Sequence, residues 1–105
     1  MEELLIREAV KREEVFRNLP ELLKRIKKVM SEADEESRVF LFGSVLRGEH
    51  VLTSDIDVLI LTKLKPCEII AKLRKEGFDE PFEFHVTDEK TFGFYCKTIG
   101  ELREI

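Results

Sequence analysis

The 105 residues carry 18 Lys and Arg against 22 Asp and Glu, a net charge of −4, so the chain lacks the overall positive field that strong nucleic-acid binding exploits. With 43% hydrophobic and 38% charged residues, the composition is that of one compact, highly charged domain rather than a disordered segment. No apolar run approaches the roughly 18 residues of a membrane span, and the first residues are acidic where a secretory signal is basic; the expected location is the cytoplasm.

In chain order, residues 2–17 read as a helix ending near Asn18, and Pro20 fits the first turn of a second one, where its missing N–H leaves nothing unsatisfied. Leu22, Leu23, Ile26, Val29 and Met30 form one apolar stripe with Lys24, Lys27, Lys28 and Glu32 between them, the period of an amphipathic helix. The acidic cluster 32–37 predicts a solvated surface turn closing that helix. Val39-Phe40-Leu41-Phe42, stopped by Gly43, has the length and residue types of a buried strand. Beyond a turn-like Leu52-Thr53-Ser54, residues 56–61 form a second.

Residues 66–76 read as a helix with Ile69, Ile70 and Leu73 on one face and Gly77 as its stop. Phe82-Glu83-Phe84-His85-Val86 alternates strictly, a third strand. Thr87-Asp88 looks like the cap of a last helix carrying Phe92, Tyr95, Cys96 and Ile99 at helical spacing, with Gly93 weakening it. The economical architecture is one α/β (α+β) domain over 1–105: N-terminal helices in 1–36, a core in 38–87 and a C-terminal helix in 88–105, with a small mixed sheet of three to four strands flanked by helices. Cys67 and Cys96 have no C-x-x-C partner and no histidine at zinc-finger spacing, which excludes a disulfide framework and a structural zinc and predicts two buried thiols.

The chemistry is concentrated in Gly43-Ser44, Arg47-Gly48, Ser54-Asp55-Ile56-Asp57 and Glu83. Asp55 and Asp57 stand two apart at the start of a strand, so their carboxylates share a face about 6–7 Å apart at the Cα level. Like charges so placed repel unless a cation sits between them, and hard oxygen donors on a rigid strand suit Mg²⁺ that also holds substrate phosphates. A glycine directly after a buried strand permits a sharp turn and close approach of a phosphate, and Ser44 to Arg47 could open a short helix whose free N–H groups favour an anion. Arg47 faces either a phosphate or Glu49. The absence of G-K-[ST] excludes a Walker A loop. Glu83, between Phe82 and Phe84, supplies a third carboxylate if its strand lies beside Asp55 and Asp57, and could assist deprotonation of an attacking hydroxyl. His85 shares the face of Glu83 at the edge of such a site, where imidazole is a poor match for Mg²⁺.

Phe42-Gly43-Ser44, Asp55-Ile56-Asp57 twelve residues after Gly43, and Phe82-Glu83-Phe84 together resemble the hG[GS]…DhDh…h[DE]h signature of the polymerase β nucleotidyltransferase superfamily. The stretch Gly43-Ser44-Val45-Leu46-Arg47-Gly48 through Ser54-Asp55-Ile56-Asp57 is most similar to the minimal nucleotidyltransferases, in which G-S-x-A-R-G and S-D-I-D are typical. The resemblance covers residues 38–87, with Val45 where many relatives carry Arg and Leu46 where Ala is usual. It implies a palm-like fold in which Asp55, Asp57 and Glu83 are catalytic and hold two Mg²⁺ ions, and Gly43, Ser44, Arg47 and Ser54 bind the nucleotide. A hydroxyl would then attack the α-phosphorus of ATP or another nucleoside triphosphate and release pyrophosphate.

Only 22 residues follow Glu83, which leaves no room for the helical domain of larger relatives. The resemblance therefore also implies a partner, a small helical HEPN-type protein for which the chain would serve as antitoxin and to which it would transfer AMP; a homodimer is an alternative. A surplus of apolar residues in 4–16 and 92–99 fits such an interface. The competing reading is an inactive antitoxin or subunit that keeps the fold and neutralises its partner by binding. A haloacid-dehalogenase-type phosphatase is disfavoured because its acids follow an apolar run, whereas here they precede one. Lys63, Lys65, Lys72, Arg74 and Lys75 read as a solvated helix surface rather than a nucleic-acid site.

Overall fold

The computed structural model describes residues 2–51 and 53–105, with the side chain of Glu2 excepted, so Leu52 of the expected 52–54 turn lies outside the described residues. Among the described residues, four helices and four strands follow in the order α1 (Glu2–Arg17), α2 (Leu19–Ala33), β1 (Arg38–Phe42), β2 (Ile56–Leu61), α3 (Pro66–Lys75), β3 (Phe82–Thr87), α4 (Glu89–Ile99) and β4 (Arg103–Glu104). The sheet runs β3-β2-β1-β4, with β1 antiparallel to both β2 and β4, and β2 parallel to β3 across the α3 crossover. Among the described residues no helix is long and apolar enough to cross a membrane.

Strand alternation sorts the interior into two clusters. Val39, Leu41, Ile56, Val58, Ile60, Phe82 and Phe84 face Leu23, Ile26 and Met30 of α2 and Ile69 and Leu73 of α3, the main core. Phe40, Leu59 and Leu61 project to the other face, where Phe92, Tyr95 and Ile99 of α4 pack on them. Asp88 caps α4 as its sequence suggests, accepting from the Thr91 backbone N–H at 3.0 Å, and Gly93 is accommodated within it. Phe94, on the outer side of α4, is 70% exposed.

Four expectations need correction. The acidic cluster 32–37 is not wholly a solvated turn: Asp34 is buried, its carboxylate accepting from Thr62 Oγ1 at 2.7 Å and from the Glu36 backbone N–H at 3.1 Å. Cys67 is exposed on the first turn of α3, ahead of the buried Ile69 and Leu73, and Cys96 is half-buried on α4, none of whose residues is fully buried. The segment after Ile99 does not continue the C-terminal helix. Gly100 turns the chain at φ +86°, and Arg103–Glu104 adds an edge strand to β1 that Arg38 clamps, donating twice to the Glu104 carboxylate at 2.7 and 2.9 Å. Finally, Ser44 to Arg47 form a run of tight turns rather than a helix, for the reason given below.

Candidate active site

α4 covers one end of its face of the sheet, against Phe40, Leu59 and Leu61, and the other end of that face carries polar side chains. Three strands supply them. The β2–β3 ladder sets Asp57 directly opposite Glu83 and Leu59 opposite His85, while β1 brings Phe42 opposite Asp57. In a parallel pair, residues in register place their side chains on the same face a strand spacing apart, about 4.8 Å, so Asp57 and Glu83 project as neighbours. His85, two residues along β3, points the same way; its Nε2 lies 3.3 Å from Asp57 Oδ1 and 3.9 Å from Glu83 Oε1. Its ring meets Phe42 edge-on with centroids 5.1 Å apart. Asp57 and His85 are partly buried, with side chains 24% and 30% exposed, and Glu83 is 54% exposed.

The turn after β1 closes on this group. Gly43 has φ +82°, and a Cβ added there would lie 2.5 Å from Asp57 Oδ2, so a side chain is excluded both by the backbone conformation and by the carboxylate it would displace. The Arg47 backbone N–H then donates to the Gly43 carbonyl at 3.2 Å, and the Gly48 N–H to Val45 at 3.2 Å. Gly48, at φ +72°, ends the run after one turn, which is why no helix develops from Ser44. Ser44 sits half-buried at the head of this turn. The Arg47 side chain pairs with Glu49 at 3.1 Å rather than reaching the acidic group.

Asp55 is exposed immediately ahead of β2, with the strand parity of Asp57, and stands outside the group formed by Asp57, Glu83 and His85. The Ser54 hydroxyl accepts from the Val51 backbone N–H at 3.0 Å, bracing the approach to β2, and the Ser54 carbonyl accepts from Arg12 of α1 at 3.3 Å. Arg12 also lies 3.8 Å from Glu80, ahead of β3, so α1 is tied to the segments that deliver both acidic strands. Sequence reading overlooked Arg12, whose spacing on α1 carries no signal for a contact 42 residues away. His85 was legible on the face of Glu83, but its approach to Asp57 depends on the inter-strand register.

Among the described residues, Asp57, Glu83 and His85 each offer a ligand atom within 4.8 Å of the other two. Two carboxylates on neighbouring strands, the first of them lying against a turn that tolerates no side chain, suit a divalent cation and a phosphate approaching it together, and Asp57 and Glu83 would hold the cation. This combination, on the half-covered face of a small mixed sheet, is the arrangement that the sequence resemblance to nucleotidyltransferases implies.

The chain belongs to the nucleotidyltransferase domain family, whose sequence model matches residues 23–102. It is similar to a protein of Methanocaldococcus jannaschii provisionally named a protein adenylyltransferase, at 48% identity over 48 residues, 44% of this chain and 48% of that protein. The match thus spans about half the length of that curated relative. A crystal structure provisionally described as a nucleotidyltransferase superposes with TM-score 0.65 at 31% identity, covering 78% of this chain and 95% of its own. A second such structure, from Sulfolobus solfataricus, shares the fold with TM-score 0.56 at 16% identity, covering 92% of this chain and 85% of its own. Fold class and nucleotidyl-transfer chemistry therefore agree with the minimal-nucleotidyltransferase resemblance.

Proposed function

We propose that this chain transfers AMP from ATP, with Mg²⁺, to a hydroxyl on a partner protein. The observation that carries the reading is the register of Asp57 with Glu83 beneath a glycine turn lying against the Asp57 carboxylate. Asp55, Asp57 and Glu83 would hold two Mg²⁺ ions, which when bound neutralise the triphosphate and the leaving pyrophosphate. The residues themselves do the rest. Gly43 admits the outer phosphates, Ser44 donates a hydroxyl hydrogen bond to them, and Arg47 exchanges Glu49 for a phosphate oxygen. Ser54, by bracing the approach to β2, orients Asp55. Glu83, the most exposed member of the group, is placed to accept the proton of the attacking hydroxyl.

The name of the Methanocaldococcus relative supports an adenylyl donor and a protein acceptor. The exposed apolar residues Leu4, Leu5, Ile6 and Val10 of α1 and Phe94 of α4 support a helical partner, for which the HEPN type suggested by the resemblance is the natural candidate, with this chain as its antitoxin in the cytoplasm.

The test incubates the chain with ATP, Mg²⁺ and a small all-helical protein encoded beside it, and weighs both proteins intact. An AMP increment on the partner that is lost with Asp57→Asn supports the reading. Absence of both complex and modification overturns it.

A further inference from the structure

The nitrogen donor sets this site apart from an all-carboxylate cation site. We propose that His85 is a metal ligand of the active site, and that the position bounded by Asp57, Glu83 and His85 takes a first-row transition ion such as Mn²⁺ in preference to Mg²⁺. The inference rests on the proposed transfer site and replaces Mg²⁺ at one of its two metal positions.

The geometry carries it. Ligands at about 2.1 Å from an octahedral ion stand about 3.0 Å apart when adjacent and about 4.2 Å apart when opposite. The His85 Nε2 separations of 3.3 Å to Asp57 Oδ1 and 3.9 Å to Glu83 Oε1 lie between those two values, and all three ligand atoms lie within 4.8 Å of one another, so rotation of the exposed Glu83 side chain gathers them around one ion. The ring is not free to turn away at no expense, since it packs edge-on against Phe42, itself placed by its register with Asp57. Gly43 keeps the other side of Asp57 clear of any side chain, so the carboxylate need not shift to receive an ion.

Chemistry then sets the preference. Mg²⁺ favours oxygen donors and gives up water reluctantly, whereas the first-row transition ions take an imidazole nitrogen beside carboxylates more readily, least so Mn²⁺ and increasingly toward Cu²⁺. For His85 to ligate through Nε2, that nitrogen presents its lone pair and the ring proton resides on Nδ1. Without a metal, the 3.3 Å contact between Nε2 and Asp57 Oδ1 holds the ring in place.

The test uses the full chain and two ions, Mn²⁺ and Mg²⁺. Bound Mn²⁺ is examined by electron spin echo spectroscopy, with histidine ring nitrogens as ¹⁴N or ¹⁵N, and both affinities are measured by titration. The expected result is nitrogen modulation that changes with the isotope, persists in His50→Gln and vanishes in His85→Gln. The same His85→Gln change should weaken Mn²⁺ by about tenfold or more and Mg²⁺ by less than about threefold. The wild-type nitrogen signal is informative even if His85→Gln is poorly folded. Bound Mn²⁺ without histidine nitrogen modulation, or an unchanged Mn²⁺ to Mg²⁺ ratio in a folded His85→Gln, overturns the inference and leaves the carboxylate site standing. Ion binding unaffected by Asp57→Asn, or no ion binding at all, overturns the transfer site as well.

Discussion

Gly43 and Asp57 approach so closely that a methyl group on the first would occupy the place of the second's carboxylate, 2.5 Å from Oδ2. The contact joins the turn after β1 to the first residues of β2, and it separates two consequences of one substitution. Gly43→Ala should lower stability by about 1–2 kcal/mol, the usual scale for a side chain forced into the left-handed region. The carboxylate is the free end of a side chain and can rotate aside, which relieves the clash but removes Asp57 from Glu83 and His85. Thermal melting and nucleotidyl transfer, measured on one preparation, should show a modest fall in Tm and loss of activity. Activity retained alongside the destabilisation would contradict this account of the turn.

Asp57→Asn should abolish transfer and leave the fold intact. Without metal, Asp57 and Glu83 repel across the ladder, so removing one charge should keep Tm unchanged or raise it, by up to about 1 kcal/mol in stability. Thermal melts in chelator compare the two proteins directly, and an unfolded variant would assign Asp57 a structural role.

Ser44→Ala should weaken nucleotide affinity by about 1–2 kcal/mol, the contribution of one hydrogen bond to a charged oxygen. Arg47→Ala should weaken it less, because Arg47 must leave Glu49 before it reaches a phosphate. Calorimetric titration of each variant with Mg-ATP checks the order; equal losses would mean that Glu49 does not hold Arg47 back, and absent losses would leave the turn a feature of the fold alone.

Asp34 lies at the far end of the sheet, beside the start of β1 and the end of β2. The hydrogen bond from Thr62 holds its carboxyl below the usual carboxylate range, against the opposing effect of burial. Because the folded-state pKa is depressed, the stabilisation is present above the unfolded-state pKa and is lost as pH falls through the folded-state value. Asp34→Asn should therefore cost about 1–3 kcal/mol at neutral pH and less in acid, flattening the acid limb of the stability profile. Urea unfolding from pH 7 down through and below the unfolded Asp pKa of about 3.9 tests this. Parallel profiles for the two proteins would count against it.

Much of this molecule is legible along the chain. Helical stripes, short apolar strands and the Gly43-Ser44 turn are local patterns, each set by side-chain period or backbone conformation within a few residues. The ordered spacing of glycine turn, paired aspartates and later glutamate identifies the family before any residue is placed in space. What depended on tertiary structure was every relationship between strands and between helix and sheet. Parallel register, one residue either way, decides whether Glu83 and His85 share a face with Asp57, and no local pattern encodes a choice made by packing of α3 across both strands. Asp34 reads as one more acid in a surface cluster until Thr62 arrives from 28 residues away to bury it. The two-residue β4 is too short to show a period, and it exists because Arg38 and β1 offer its backbone and Glu104 partners. Sequence thus determined the chemistry on offer, because residue types and local spacing are properties of the chain; the tertiary structure decided which groups meet, because register and burial are properties of the packed whole.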